Sequence, residues 1–207
     1  MSAVLDRYRP LFDPRGVIVA GASSHPGKFG FVAAHNILAH GYAGRVFLTN
    51  REGAEILGER TLRSVDEVPD GAADLVFVCT PPASVPELLR TCARKGVRAA
   101  FISSAGYGEA SAEGKAAERE LAALCDELGI LLAGPNGQGI ISTPAQLCAQ
   151  IIAPYPPAGH IAIASQSGGF VQACLNYARK LGVAVSRAVS AGNSAQTSDG
   201  ASVAIVM

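Results

Sequence analysis

Residues 21–30 read "GASSHPGKFG" and directly follow the apolar run "RGVIVA" at residues 15–20. An apolar run that breaks into glycines is typical of a β-strand leading into a phosphate-binding loop. The residues fit neither of the two best-known loops. Ser23 stands where the dinucleotide fingerprint G-x-G-x-x-G has its second glycine, and Phe29 follows Lys28 where the Walker loop has a Ser or Thr. The ligand of this loop therefore has to be inferred from the rest of the chain.

The composition excludes several classes of partner. The 207-residue chain carries 17 Lys plus Arg and 17 Asp plus Glu, so it lacks the positive charge of a protein that binds nucleic acid or an anionic membrane. Its apolar stretches are far shorter than the ~20 residues that span a bilayer, and its N-terminus lacks the apolar region of a signal peptide. We expect a cytoplasmic protein with no nucleic-acid or membrane partner.

Cysteine and histidine spacing does not indicate a metal site or a disulfide. The five cysteines and four histidines are scattered, without a C-x-x-C pair or histidines at zinc-binding spacing. The simplest interpretation is that the cysteines are small, reduced, buried apolar residues. We expect no bound metal.

The first part of the chain predicts an α/β domain with a Rossmann-like doubly wound parallel sheet. Short apolar runs alternate with segments of helical period, which is the pattern of strands and crossover helices. We assign residues 1–145 to this domain, with the glycine loop in its first strand-to-helix turn, where open parallel sheets bind ligands. The predicted strands are residues 17–20, "GRVFLT", "DLVFVC", "VRAAFI" and "ILLAG".

The pattern restarts after the proline-rich connector "APYPPAGH". A strand "IAIA", a loop "SQSGG" and a helix to about Leu181 precede two further apolar runs, "VAVSRAVS" and "SVAIVM". Two or three strands with one helix cannot cover both faces of a parallel sheet. Residues 146–207 are therefore predicted to form an incomplete α/β unit, and its bare edge favours self-association or pairing with another subunit.

Polar and glycine-rich loops follow each predicted strand of the first domain. They are "GASSHPGKFG", "TNREG", "CTPPAS", "SSAGYGE" and "GPNGQG". A ligand that touches all of them is long, and the glycines and the start of the first helix favour a phosphate group. An NAD(P)-dependent oxidoreductase would need an acidic residue closing strand two, but that strand ends in Thr49 and Asn50, with Glu52 only in the loop beyond.

Several motifs in order resemble a known family. They include "LFDPRGVIVAGASSHPGKFG", "DLVFVCTPP", "GVRAAFISSAGYGE", "LGILLAGPNGQGII" and "GHIAIASQSGG". Residues 10–195 resemble the coenzyme A (CoA)-binding domain and the beginning of the next, flavodoxin-like domain of the NDP-forming acyl-CoA synthetases, relatives of the succinyl-CoA synthetase alpha subunit. The resemblance implies that the first domain binds CoA. It also implies that the complete enzyme forms an acyl-CoA thioester with ATP or GTP, magnesium and a transiently phosphorylated histidine.

The resemblance also implies which residues bind the ligands. Those expected to contact CoA are Gly21, Ala22, Ser23, Lys28, Gly30, Asn50, Arg51, Thr80, Pro81, Pro82, Ser103, Ser104, Ala105, Gly106, Pro135 and Asn136. Gly134 is expected to shape the floor near the CoA thiol together with the last two. Ser165, Ser167 and Gly168 of "SQSGG" are expected to bind a phosphate at a helix start.

Two departures from the family pattern matter. The family usually reads Asn-Pro-Lys after strand two, whereas this chain reads Asn50-Arg51-Glu52, so Arg51 is expected to supply the positive charge. The family's phosphohistidine lies further along the second domain than Met207, and His160 precedes "SQSGG", where the family has no catalytic histidine. We therefore assign no catalytic residue and expect this chain alone to be inactive as a ligase.

Two hypotheses for the function remain open. The chain is the CoA-binding part of an NDP-forming acyl-CoA synthetase that needs a further domain or subunit. Alternatively, it is a stand-alone CoA-binding regulatory or scaffold protein without ligase activity. Sequence downstream that completes the flavodoxin-like domain would favour the first.

Overall fold

The computed structural model describes residues 2–152, 155–196 and 203–206. The helices in these residues are α1 (Ser2–Phe12), α2 (Phe29–Ala39), α3 (Val85–Arg94), α4 (Ala112–Leu128) and α5 (Gly168–Leu181). The strands are β1 (Gly16–Ala20), β2 (Arg45–Thr49), β3 (Glu55–Ile56), β4 (Glu59–Arg60), β5 (Leu75–Val78), β6 (Ala99–Ile102), β7 (Leu131–Ala133), β8 (Gly139–Ser142), β9 (Leu147–Gln150), β10 (Ala158–Ser165), β11 (Val185–Ser190) and β12 (Val203–Val206).

The first sheet has the order β2-β1-β5-β6-β7, and all its strands are parallel. This arrangement confirms the predicted Rossmann-like parallel sheet. The chain moves outward in one direction from β1 to β2 and in the other direction from β5 to β7. The order therefore reverses between β1 and β5, and a crevice for ligands is expected at the carboxyl ends of these two strands.

Neighbouring residues of the central strands face opposite sides of this sheet. Phe77 of β5 shares a buried core with Ile37 of α2, whereas Val76 of β5 packs with Leu89 of α3 and Leu121 of α4. Both faces of β5 are therefore covered, which explains why its sequence is apolar throughout rather than alternating.

The second sheet is mixed and has the order β12-β10-β11-β8-β9. Only the β10–β11 pair is parallel among its described strands. The three strands predicted here, in "IAIA", "VAVSRAVS" and "SVAIVM", correspond to β10, β11 and β12, and the sheet contains two further strands, β8 and β9, that the sequence does not predict. The reason is that β8 and β9, which precede the proline-rich connector, form a hairpin that pairs with β11 across a large sequence separation.

The second sheet packs against α2 and the core on that side of the first sheet. Ile140 of β8 and Ala149 of β9 belong to the core on the α2 side of the first sheet, whereas Ile141 of β8 packs beneath α5 with Leu175. The side-chain amide of Asn36 in α2 donates to the Gln150 carbonyl at 2.8 Å. The predicted boundary between residues 145 and 146 falls in the turn between β8 and β9.

Residues 193–196 run along the outer edge of β7. The Ala195 N–H donates to the Gly134 carbonyl at 3.1 Å, and the Gln196 side chain accepts from the Leu132 N–H at 2.6 Å. This segment follows β11 of the second sheet, so the second unit covers an edge of the first.

Candidate functional site

The glycine loop lies at the point where the strand order reverses. Gly21 directly follows β1 with a φ of +84°, and a Cβ there would lie 3.0 Å from Cγ2 of Thr80 in the loop after β5. A Cβ at Gly30, in the first turn of α2, would lie 2.0 Å from the Gly21 carbonyl oxygen. The loop, the helix start and the β5 loop are therefore in closer contact than any side chain at the two glycines would permit.

Helix α2 begins without a side-chain cap. Lys28 occupies its N-cap position in an extended conformation (φ −98°, ψ 144°) and makes no capping hydrogen bond from its side chain. The nearby Ser23 hydroxyl accepts instead from the His25 N–H at 3.1 Å, within its own turn. The partial positive charge of this helix start is thus not neutralised by a side chain, which suits an anionic ligand.

Hydrogen bonds link the loops along the carboxyl edge in two groups, which meet where Gly21 approaches Thr80. The Asn50 amide after β2 donates to the Ala22 carbonyl at 2.8 Å. The Ser104 hydroxyl after β6 donates to the Thr80 carbonyl, and the Asn136 N–H after β7 donates to the Ser104 carbonyl at 3.1 Å. The structure therefore brings together predicted site residues from all five strand ends.

Three polar atoms along this edge are buried and have no hydrogen-bond partner among the residues that the structure describes. They are Oγ1 of Thr80, Oγ of Ser103 and Oε1 of Gln138. Buried polar groups in native proteins are nearly always hydrogen-bonded, and each exception needs an explanation. A polar ligand in this crevice would supply the missing partners.

A cavity of about 380 Å³ lies where the two units meet. Its lining includes Phe29 at the start of α2, Ser103 and Asn136 after β6 and β7, and Gln138 and Gly168 next to the second sheet. A Cβ at Gly168 would lie 2.2 Å from Cδ of Gln138. The cavity therefore connects the predicted CoA residues with the predicted phosphate-binding helix start.

The hydroxyls of "SQSGG" are engaged in local hydrogen bonds. The Ser165 hydroxyl accepts from the Ser167 N–H at 3.0 Å, and the Ser167 hydroxyl accepts from the Phe170 N–H at 3.2 Å, so that it caps α5. Phosphate binding by these residues stays a prediction, because the same hydrogen bonds serve the helix alone.

Other predicted residues lie at the surface of the same edge. Arg51 and Glu52 are exposed in the turn after β2, where the Glu52 N–H donates to the Asn50 side chain at 2.9 Å. Gly106 lies close to the loop after β5, because a Cβ added at this position would lie 3.2 Å from Cγ of Pro82. The remaining predicted residues are Pro81 and Ala105, which are exposed, and Pro135, which is buried.

Sequence reasoning did not single out three residues that the structure places here: Gln138, Glu109 and Asn193. Gln138 lies within "GPNGQG", so its position beside the glycines of this loop could have indicated it as a site residue. Asn193 donates to Glu109 at 2.5 Å, although 84 residues separate the two in sequence. No local pattern could have indicated that pair.

The crevice contains no activated thiol. Burial raises the pKa of the Cys79 thiol to about 12, so it stays protonated and is a poor nucleophile near neutral pH. Among the residues that the structure describes, no group of three or more His, Cys, Asp or Glu side chains could hold a metal ion. None of the described helices has the length and apolar character needed to cross a membrane.

Family comparisons agree with this geometry. Residues 15–143 match the family described as CoA binding domain. Residues 158–206 match the family described as succinyl-CoA ligase like flavodoxin domain. The two matches lie on either side of the cavity between the units.

Known relatives are longer than this chain. The chain is 35% identical over 193 residues to the alpha subunit of acetate–CoA ligase [ADP-forming] I from Pyrococcus furiosus, covering 91% of this chain and 42% of that protein. It is 38% identical over 185 residues to acetate–CoA ligase [ADP-forming] I from Archaeoglobus fulgidus, covering 89% of this chain and 27% of that protein.

A solved structure has the same fold. It is the dinucleotide-forming acetyl-coenzyme A synthetase 1 of Ca. Korarchaeum cryptofilum in complex with phosphate and ADP. It superposes with a TM-score of 0.86 at 30% identity, over 93% of this chain and 41% of that one. The chain therefore spans less than half the length of each of these three proteins.

Proposed function

The chain belongs to the CoA-binding domain family, and we propose that it binds CoA along the carboxyl edge of its first sheet as part of an ADP-forming acyl-CoA synthetase. The observation that carries this proposal is the uncapped start of α2 beside Gly21 and Gly30, two positions with no room for a side chain. A helix start of this kind binds phosphate through free N–H groups, and CoA carries phosphates at one end.

We place CoA along the line of loops at this carboxyl edge. In the proposed arrangement, Ala22, Ser23 and Lys28 surround the phosphates, and Asn50 and Arg51 lie towards the nucleotide end. Thr80 and Ser103 offer unpaired hydroxyls to the polar groups of the pantetheine arm. The residues that flank the arm are Pro81, Pro82, Ser104, Ala105 and Gly106.

The thiol end of CoA would enter the cavity between the two units. Asn136 and Gly168, at the start of α5, both line this cavity, and in the proposed arrangement Pro135 and Asn136 shape its floor. We propose that Ser165, Ser167 and Gly168 present this helix start to a phosphoryl group of the reaction. The nucleophile of the proposed reaction is the thiol of CoA. These residues therefore only orient the groups that react.

Acyl-CoA formation needs parts outside the CoA site. The proposed complete enzyme uses ATP or GTP with magnesium, a residue that carries the phosphoryl group, and the domain or subunit that provides them. The relatives support this proposal because they are more than twice as long as the matched region. A cytoplasmic location stays a prediction from the sequence.

Calorimetric titration of the purified chain with CoA, dephospho-CoA, NAD and ATP tests the proposal. We expect CoA to bind at a one-to-one ratio, dephospho-CoA to bind more weakly, and NAD and ATP not to compete with CoA. Binding of NAD in preference to CoA would favour the oxidoreductase alternative and contradict the proposal.

A substitution of Arg51 tests the orientation of CoA in the proposed site. Arg51→Ala should weaken CoA by about 1–2 kcal/mol, in line with loss of a charge-assisted hydrogen bond, and should weaken dephospho-CoA less if the 3′-phosphate is its target. Arg119→Ala is the matched control, because Arg119 is exposed on α4. Equal losses for both ligands would rule out the assignment of Arg51 to the 3′-phosphate.

A further inference from the structure

Asn193 joins the second unit to two loops of the proposed CoA site. It lies in the turn after β11, and its side-chain Nδ2 donates to Oε2 of Glu109 at 2.5 Å and to Oε2 of Glu118 at 2.6 Å. Its backbone N–H donates to the Pro135 carbonyl at 2.9 Å. Its Oδ1 accepts from the Asn136 amide at 3.4 Å.

The two carboxylates in turn hold the loop after β6. Oε1 of Glu109 accepts from the N–H groups of Gly106 and Tyr107, the latter at 3.1 Å. Oε2 of Glu118 accepts from the Gly108 N–H at 3.1 Å. Three consecutive N–H groups of this loop are therefore bound by carboxylates whose other contacts lead to Asn193.

These hydrogen bonds require Asn193 to donate and the two glutamates to accept. Burial by itself would raise the pKa of Glu109, but the hydrogen bonds from Asn193 and from the Gly106 and Tyr107 N–H groups outweigh it and lower the pKa. Glu109 is therefore ionised near neutral pH and acts only as an acceptor. Without the Asn193 amide between them, the carboxylates of Glu109 and Glu118 would repel each other.

We propose that Asn193, Glu109 and Glu118, here called the Asn193 cluster, position the loop after β6 for CoA, so that the affinity of the first unit for CoA depends on the second unit. This inference rests on the proposed function. Gly106 has a φ of +108°, a conformation that only glycine adopts readily. External hydrogen bonds are therefore needed to select one arrangement of this loop among those open to glycine.

An exchange of donor and acceptor tests whether the hydrogen bond between Asn193 and Glu109 positions the loop. Asn193→Asp places a third carboxylate against Glu109 and Glu118. In the double variant Asn193→Asp/Glu109→Gln, the new Gln amide can donate to the new Asp while its oxygen still accepts from Gly106 and Tyr107. Loss of CoA affinity at an unchanged melting temperature indicates positioning, whereas a lowered melting temperature indicates a role in general stability.

The first measurement is the Kd for CoA, with the melting temperature recorded for each variant. We expect Asn193→Asp to weaken CoA binding about tenfold and the double variant to recover part of this loss, because its Asp still faces the Glu118 carboxylate. Glu120→Gln, at an exposed carboxylate of α4, should remain within about twofold of the wild type. Wild-type affinity in Asn193→Asp, or no recovery in the double variant, would overturn the proposal.

Amide hydrogen exchange gives a readout that does not need CoA. We expect faster exchange at residues 106–108 in Asn193→Asp and a return towards wild-type rates in the double variant. Unchanged exchange at these residues would overturn the positioning role even if CoA binds. Absence of CoA binding to the wild type, with the expected exchange pattern, would instead contradict the proposed function and leave the positioning role supported.

Discussion

At the scale of single residues, Gly30 shows how the fold and the proposed site depend on the same contact. A Cβ at this position would lie 2.0 Å from the Gly21 carbonyl oxygen, a backbone atom that cannot rotate away. We expect Gly30→Ala to destabilise the fold by about 1–3 kcal/mol through overpacking. We also expect it to abolish CoA binding, because α2 must move away from the loop.

Gly169→Ala is the matched control for that prediction. Gly169 also lies in the first turn of a helix, but a Cβ there meets no atom within 4 Å. Its urea unfolding midpoint and CoA affinity should stay close to those of the wild type. Equal unfolding midpoints for the two alanine variants would show that the close approach at Gly30 has no energetic consequence.

Asp74 predicts how stability changes with pH. Its carboxylate accepts from the Arg15 Nε at 2.9 Å and from the Arg15 N–H at 2.7 Å. The Arg15 hydrogen bond is the main cause that lowers the pKa of Asp74. A pKa that is lower in the folded state contributes stability above the unfolded pKa of about 4, and this contribution is lost as the pH falls through the folded value.

We therefore expect Asp74→Asn to lower the free energy of unfolding by about 1–2 kcal/mol at pH 7, and the difference from the wild type to shrink below about pH 4. Urea unfolding at several pH values measures this. Asp70→Asn is the control, since Asp70 is 82% exposed in its ion pair with Lys95 and should have little effect. A difference for Asp74→Asn that is constant between pH 7 and pH 3 would contradict the prediction.

At the scale of elements, we predict that the uncapped start of α2 lowers the stability of the fold and favours the binding of CoA. Lys28 has the extended conformation of an N-cap residue, but its side chain makes no cap. Lys28→Asp should stabilise the fold by about 0.5–1 kcal/mol, because the carboxylate can accept from free N–H groups of the helix. It should also weaken CoA binding, because the carboxylate takes the place of a phosphate and the positive charge of the lysine is lost.

The cap of α4 provides the opposite case. The Ser111 hydroxyl accepts from the Gly114 N–H at 3.0 Å, so Ser111→Ala should lower stability by about 1 kcal/mol and leave CoA affinity nearly unchanged. Chemical unfolding and CoA titration of both variants measure the two effects. If Lys28→Asp bound CoA as tightly as the wild type, the phosphates would not lie at the start of α2.

At the scale of the whole molecule, α5 leaves an apolar stripe uncovered. Phe170, Tyr177 and Leu181 recur at intervals that place them on one face of the helix, and Tyr177 and Leu181 are 67% and 62% exposed. The opposite face is buried against the second sheet through Val171 and Leu175. Exposed apolar patches of this kind are typical of interaction surfaces, so we expect the isolated chain to self-associate through this stripe.

Light scattering after size-exclusion chromatography tests this expectation over a range of concentrations. The double variant Tyr177→Lys/Leu181→Lys should be monomeric, whereas Asn176→Lys, on a neighbouring exposed position of α5, should associate like the wild type. A wild-type chain that remains monomeric at its highest soluble concentration would contradict the prediction.

The sequence by itself determined the first sheet and predicted the edge at which a ligand binds. Runs such as "LVFV" in β5 are apolar at every position. This pattern indicates burial on both faces of the strand, whichever elements cover them. The glycines at positions 21 and 30 and the order of the loops also indicated a crevice at the carboxyl edge, because turns and helix starts are set by neighbouring residues.

Only the tertiary structure decided how the second unit is built and how it meets the first. The β8–β9 hairpin pairs with β11, and Asn193 contacts Glu109 across 84 residues. Short strands and single polar side chains have too little local pattern to specify distant partners, because those partners are selected by packing and by the need to satisfy buried polar groups. The cavity between the units exists only once these long-range contacts have formed.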